Sequence, residues 1–509
     1  MRFDSPFEFG YRVGMEKTFF LLIVLSCLFL PGCGFFSSYS YQGVVSEYAD
    51  WENPGLLGQK AAEKTHRRDL SGAVEFPLTL SFALETALNN NPDLVQAVWR
   101  TEQSRAMLSL AETAFWPKAS VYTEYMQGDA PSAYLFKKID QRMLPPDANF
   151  NDPGWFENFE SGLNAQMNLF NGGSDYLELQ MARIDVDISQ LDRAEVQNNL
   201  VAEVIRAFYN VLAARDFVRI ARQSVDTVSR QLQSMQVRYE GGAVLKSDIL
   251  SMQARLARAR EQLISGRNRC KLTAAALANL MGLEASALTG GDKVFAGADA
   301  GIPELPASYA AGFQQALQRR PELARIRQQV VKSRYALAAA KASYLPSLDL
   351  MARYYVDDPD MEYDLDRENW TAAVVLNWDL FTGFSRPARI SRARARIKEL
   401  LAADRKILLQ VQHDVRRAWF NLEDAAARHE AAKQSVQSAE ESFRLVREHY
   451  QGGAVTITRY LQAELDRRRA RIRAAAARYD RIKARAGAAR AMGLWANQET
   501  KPFLQMQPQ

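Results

Sequence analysis

Cysteine is almost missing from this 509-residue chain, which contains only Cys27, Cys33 and Cys270. The first two fall in the N-terminal leader, so Cys270 has no partner and a disulfide framework is excluded. Histidine is as scarce. His66, His413, His429 and His449 belong to no His-Glu-x-x-His or Cys-x-x-Cys spacing, so neither a metal site nor a metal cofactor is expected. An excess of one charge is also lacking: 64 basic and 59 acidic residues leave +5. That is no basic field of the kind that holds nucleic acid by counterion release, and no nucleic-acid partner is expected. After the leader, no stretch approaches the ~18 uninterrupted apolar residues of a transmembrane helix, so any membrane role would fall to strands. What is present, 24% charged and 47% hydrophobic residues, reads as a folded protein.

The leader is a targeting segment. Lys17 precedes the apolar run Thr18 to Leu30, short for a bilayer span and right for the core of a secretory signal, and Met15 is a candidate true start. The run ends in Leu30-Pro31-Gly32-Cys33. This resembles the bacterial lipobox, with Cys33 as the residue to be lipidated, although Pro31 is unusual there; a plain signal peptide with an incidental cysteine is the alternative. The expected division is a lipoprotein signal over 1–32 and a lipid-anchored tail over 33–77.

The rest of the chain is written twice. Ala87-Leu88-Asn89-Asn90-Asn91-Pro92-Asp93-Leu94 matches Ala316-Leu317-Gln318-Arg319-Arg320-Pro321-Glu322-Leu323, and Phe115-Trp116-Pro117 matches Tyr344-Leu345-Pro346, at an offset of 229 (321 minus 92). A second block runs at 211: Leu169-Phe170-Asn171-Gly172 falls on Leu380-Phe381-Thr382-Gly383, Tyr239-Glu240-Gly241-Gly242 on Tyr450-Gln451-Gly452-Gly453, and Met281-Gly282-Leu283 on Met492-Gly493-Leu494. The change of offset places 18 extra residues between Pro117 and Leu169. Two repeats are expected, 78–290 and 307–496, with a linker over 291–306 and a C-terminal tail over 497–509.

Most of each repeat reads as helix. Phe217, Ala221, Val225, Val228, Leu232, Met235 and Tyr239 step by four and three along one stripe, and no proline interrupts residues 174–240. Some 65 residues at 1.5 Å each make a rod of roughly 95 Å. Gly241-Gly242 and Gly452-Gly453 break the rods, with tips near 240–246 and 451–457, and Ala-rich segments return as helical hairpins. By helical pattern alone, a curved wall of helices and an Ala-rich coiled coil without a lumen both remain open.

Four segments change period. Residues 118–127, 160–170, 347–356 and 370–380 alternate, as where Asn164, Gln166 and Asn168 interleave with Leu163, Ala165, Met167 and Leu169. Their length suits tilted bilayer strands, with Tyr122, Tyr125, Tyr354, Tyr355, Trp370 and Trp378 as candidate girdle aromatics; two soluble hairpins on a helix are the alternative. Four strands cannot close a barrel. An open edge in lipid leaves backbone groups unpaired at several kcal/mol each, so a membrane-spanning chain must share its barrel with sibling chains, and three copies give twelve strands.

The tandem Ala-Leu-x-x-x-Pro-[Asp/Glu]-Leu openings, the Leu-Phe-x-Gly strand ends and the Tyr-x-x-Gly turns, in that order twice over about residues 78–496, resemble the TolC-like outer-membrane efflux proteins. The resemblance implies a mainly α chain with a membrane β-barrel portion: the tandem-repeat protomer of a trimeric 12-stranded β-barrel, continued by a long α-helical barrel. It also implies a Gram-negative outer-membrane channel that extends into the periplasm. Such a channel passively conducts exported solutes in a tripartite efflux or type I secretion system, with no catalytic residue and no cofactor. Implied partners are two sibling chains in a homotrimer, outer-membrane lipid, a periplasmic adaptor (membrane fusion protein) and an inner-membrane transporter of RND, ABC or MFS type. A lipid-anchored adaptor or structural coiled-coil protein is the alternative; neither would need tandem halves with paired strands.

Under the same resemblance the glycine turns are the periplasmic tips. Family tips commonly carry aspartates just after each turn, and the matching positions here are Asp248, Arg459 and Gln462, the candidate gate. Only the first is acidic, which argues against a purely anionic ring and suggests that Asp248 and Arg459, at equivalent positions with opposite charge, pair to hold the tip shut; two solvated surface residues are the alternative. Tyr239, Gly241, Gly242, Tyr450, Gly452 and Gly453 are candidates for adaptor docking, although turn geometry alone would account for them.

Overall fold

The computed structural model describes residues 40–42, 44, 77–242, 244–289, 295, 302–362 and 365–496. The expected signal peptide, Cys33, most of the 33–77 tail, most of the linker and the C-terminal tail lie outside the described residues. The chain divides into two units, residues 1–54 and 55–509. In the first, Val44 N–H donates to the Ser40 carbonyl at 3.0 Å, closing one helical turn.

In the second unit, each half runs helix, helix, strand, strand, long helix, returning helix. The first half holds α1 (Leu80–Asn90), α2 (Pro92–Glu112), β1 (Lys118–Gly128), an inserted helix α3 (Pro131–Asp140), β2 (Phe156–Asn171), α4 (Ser174–Glu240) and α5 (Lys246–Leu280). The second holds α6 (Tyr309–Arg319), α7 (Pro321–Ala342), β3 (Ser347–Asp358), β4 (Glu368–Asn377), α8 (Ser385–Gln451) and α9 (Ile457–Ala491). Both long helices have 67 residues and both returning helices 35, so each rod spans ~100 Å at 1.5 Å per residue. Among the described residues no helix is long and apolar enough to cross a membrane.

Equivalent residues close the middle of the molecule in both halves. Pro92 and Pro321 open α2 and α7, where a missing N–H costs nothing. The residue before each proline ties down the end of a returning helix: Asn91 Nδ2 donates to Leu280 O at 3.0 Å, and Arg320 Nη1 donates to Ala491 O at 3.2 Å. The repeated Met-Gly-Leu has the same origin. Gly282 and Gly493 turn with φ of +68° and +71°, and a Cβ would stand 2.3 Å from Asn90 O or 2.9 Å from Arg319 O. Around them lies the main core, with Leu84, Phe208, Tyr209, Leu277, Met281, Leu323, Met492 and Trp495 all essentially inaccessible.

The four strands form one antiparallel sheet in the order β1-β2-β3-β4, leaving an unpaired edge on β1 and on β4. Register gives its two faces different characters, although Met351 and Val375 fall on the more polar one. Val121, Leu163, Tyr354 and Trp370 lie in one row, Ala119, Ala165, Ala352 and Ala372 in another, and Met167, Leu350 and Val374 in a third. The opposite face carries Ser120, Asn164, Arg353 and Thr371, then Glu160 opposite Asp357. An exposed apolar face on one side and a polar face on the other is the pattern of a strand between lipid and a wet lumen.

Two expectations are corrected here. Tyr122 and Tyr355 are not girdle residues: parity puts them on the polar face, where their ring centroids lie 5.0 and 4.7 Å from the Arg353 guanidinium. β4 ends at Asn377, so Trp378 lies beyond the strand, its indole N–H bonded to the Tyr344 carbonyl at 3.0 Å as the chain turns toward α8. The extra residues of the first half are spent on the connection 129–155, which contains α3; its counterpart is only 359–367.

Candidate functional site at the hairpin tips

Each tip is built from the end of a long helix and the start of its return. At the first, Gly241 N–H bonds to Val237 O (3.2 Å) and Gly242 N–H to Tyr239 O (2.9 Å); at the second, Gly452 N–H bonds to Glu448 O (3.0 Å), Gly453 N–H to Tyr450 O (3.2 Å) and Ala454 N–H to His449 O (2.8 Å). The two glycines of each pair differ. Gly242 and Gly453 sit at φ +73° and +76°, where a side chain is strained, whereas Gly241 and Gly452 have an ordinary φ of −81°.

The returning helices begin differently. Thr456 caps α9, its hydroxyl accepting from Arg459 N–H at 3.4 Å, while the equivalent Leu245 gives α5 no side-chain cap. Asp248 stands in the first turn of α5, where the helix dipole favours an acid; Arg459 stands in the first turn of α9, where it does not. Asp248 is half-buried and Arg459 exposed, and among the described residues no ion pair joins them within the protomer. Gln462 is exposed and donates to Asp466 at 3.1 Å along its own helix.

The structure brings the two hairpins together at a seam that the repeat pattern did not reveal. Val228, Leu232 and Met235 of α4, Ile249, Met252 and Leu256 of α5, Phe443 and Val446 of α8, and Tyr460 and Leu461 of α9 form one apolar cluster near the tips. Tyr450 joins it, its ring centroid 5.0 Å from that of Tyr460 and tilted by 30°, with Arg238 of the first hairpin 5.7 Å from its ring. Its counterpart Tyr239 is exposed, so the equivalent tyrosines have different environments.

Glu464 is buried on the same seam. Burial pushes its carboxyl above the ordinary glutamate value, and Arg468, Arg467 and Arg255 only partly offset this. Arg467 also lies 3.7 Å from the Phe443 ring, and Arg255 Nη1 donates to Leu461 O at 3.3 Å, crossing between hairpins. An acid at i+4 from Tyr460, on a helix otherwise crowded with arginine, was the available sequence cue; that it faces a neighbouring hairpin is a tertiary fact. Among the described residues no cluster of three or more His, Cys, Asp and Glu could hold a metal ion.

The arrangement is a pair of helical hairpins packed along one apolar seam just behind their turns. Comparison with known proteins agrees with it. A family model described as outer membrane efflux protein matches residues 83–283 and 312–494. The pyoverdine export outer membrane protein OpmQ of Pseudomonas aeruginosa is 24% identical over 473 residues, 93% of this chain and 96% of that protein. The alkaline protease secretion protein AprF of the same organism is 28% identical over 372 residues, 72% of this chain and 74% of its own length. In fold, the Campylobacter jejuni CmeC outer membrane channel superposes with a TM-score of 0.71 at 15% identity, over 88% of this chain and 97% of that one.

Proposed function

Because the chain belongs to the outer membrane efflux protein family, it is an outer-membrane channel that reaches into the periplasm and not an enzyme, and we propose that it works as a lipid-anchored homotrimer. Three copies of the four-stranded sheet close a twelve-stranded barrel, and the paired hairpins continue it as a helical duct. The observation that carries this reading is the sheet itself: an apolar outer face with two unpaired edges, tolerable in lipid only when sibling chains supply the missing bonds. The duct receives its cargo from an inner-membrane transporter through a periplasmic adaptor that docks at Tyr239, Gly241, Gly242, Tyr450, Gly452 and Gly453. One relative is named for pyoverdine export and another for alkaline protease secretion, so the cargo class is left to the transporter.

Cys33 is the lipidation site in this reading, tested by fatty-acid labelling: Cys33→Ser loses the label if it is right and keeps it if it is wrong. Asp248 and Arg459, which form no ion pair with each other among the described residues of the protomer, meet across neighbouring protomers to hold the tip shut, with Gln462 beside them. In planar bilayers, Asp248→Arg and Arg459→Asp each raise the conductance of the resting trimer, and the double swap restores it. Unchanged conductance in all three removes the gate assignment.

A further inference from the structure

We propose that α3 is a lid over the outer mouth of the channel, held shut by Lys137; this rests on the reading of the sheet as a barrel segment. The helix covers the polar face of the sheet at the end opposite the long helices. Tyr134, Lys137 and Gln141, at steps of three and four, are the residues that face the sheet. Tyr134 is buried against Phe156, edge to face at 6.5 Å. Gln141 is fully buried and donates to Glu157 O and to Asn158 Oδ1, both at 2.8 Å. Lys137 is the pin. Its ammonium lies 2.5 Å from Glu160 of β2 and 3.0 Å from Asp357 of β3, carboxylates whose side chains are 3% and 0% exposed.

The carboxylates have few other partners. Glu160 also pairs with Arg353 and accepts from the Tyr122 hydroxyl. Asp357 accepts from Asn158 at 2.5 Å, and its second oxygen has no hydrogen-bond partner among the described residues. Removing Lys137 would leave Asp357 buried without a cation bonded to it, a far larger penalty than losing a surface pair. Lid and pin are therefore one unit: the acids stay buried while α3 is seated, and escape to water only when it lifts.

The lid lies on the lumen side. Glu160 and Asp357 share a face with Asn164, Arg353 and Thr371, not with the apolar rows. Two side-chain-to-carbonyl hydrogen bonds tether its end to β4, from Asn369 Nδ2 to Asp140 O (3.3 Å) and from Arg142 Nη2 to Glu368 O (3.4 Å). The side turned away from the sheet leaves Phe136 and Ile139 exposed, apolar residues available to meet the lids of the two sibling chains. Among the described residues of the second half the connection between β3 and β4 holds only the single 3-10 turn Leu365–Arg367, so a trimer carries three lids.

The test reads access to the lumen from outside. Thr371→Cys places a thiol on the polar face, deeper than the lid, and a bulky membrane-impermeant maleimide is added to intact cells. With Lys137 in place the thiol reacts slowly. Lys137→Ala accelerates labelling at least about tenfold and Lys137→Arg leaves it slow. Gln141→Ala loosens the same lid without unpairing a carboxylate, accelerates labelling too, and decides the matter should Lys137→Ala fail to assemble. Equal rates across Lys137, Lys137→Ala and Gln141→Ala overturn the lid. Val374→Cys, on the apolar face, stays unlabelled throughout; if it labels as fast as Thr371→Cys and no trimer is found on gels, the barrel reading has failed instead.

Discussion

Truncating Met252 to alanine should loosen the hairpin tips without unfolding the chain. Met252 is fully inaccessible, in a cluster with Met235, Ile249, Leu256, Phe443 and Tyr460 that is separate from the main core around Phe208 and Trp495. Removing the three side-chain atoms beyond Cβ costs the lost transfer energy plus a cavity, ~2–5 kcal/mol for a buried methionine. That loss falls on local opening, because the cluster joins only the distal ends of the four long helices. At about 1.4 kcal/mol per decade, ~3 kcal/mol raises the open population of the tip some hundredfold. Trypsin reports on it through Arg238, Lys246 and Arg459, which flank the turns. Cleavage there accelerates by about two decades in Met252→Ala and changes little in Met252→Leu, a volume-conserving swap. Cleavage at the unaltered rate, or loss of the folded trimer in place of local cutting, would refute the idea that the tips open as a unit.

Other substitutions at the tips have equally definite outcomes. Gly242→Ala and Gly453→Ala force a side chain into left-handed backbone and cost about 1–2 kcal/mol each, while Gly241→Ala and Gly452→Ala, at φ −81°, are neutral or slightly stabilising; hydrogen exchange of the tip amides separates the pairs. Glu464, whose carboxyl burial pushes up, is more easily accommodated protonated: its penalty is absent below the ordinary glutamate value and appears as pH rises through the raised one. The seam is therefore tighter below the ordinary glutamate value than at neutral pH. Glu464→Gln protects the tips from trypsin at neutral pH and flattens that dependence; an unchanged pH profile would show that the arginines already neutralise it.

Much of this architecture was legible because it is local or repeated. The stripe from Phe217 to Met235 identifies a long helix by its own spacing, and the proline, glycine and tyrosine motifs recur at two constant offsets because each does the same backbone work twice, as Gly282 and Gly493 show. The strands were legible from alternation. Reading Tyr122 and Tyr355 by nearness to a strand end, without counting parity, put them on the wrong face. α3 was not legible: residues 131–140 are short and sit in a connection rich in proline, asparagine and aspartate, and their spacing acquires meaning only against Glu160 and Asp357. The same holds at the tips. Tyr239 and Tyr450 are equivalent in sequence, yet only Tyr450 meets the other hairpin, because which hairpin lies beside which is decided by packing that no single repeat encodes.

The account depends on sibling chains supplying the edges that β1 and β4 lack. Cysteines introduced in turn along the apolar rows of the two edge strands, Ala119 and Val121 against Ala372 and Val374, test this by disulfide cross-linking in native membranes. The account predicts an intermolecular ladder ending at three chains, with cross-links only between β1 of one copy and β4 of the next. A ladder that stops at two chains, or no intermolecular cross-link at any pairing, would contradict it.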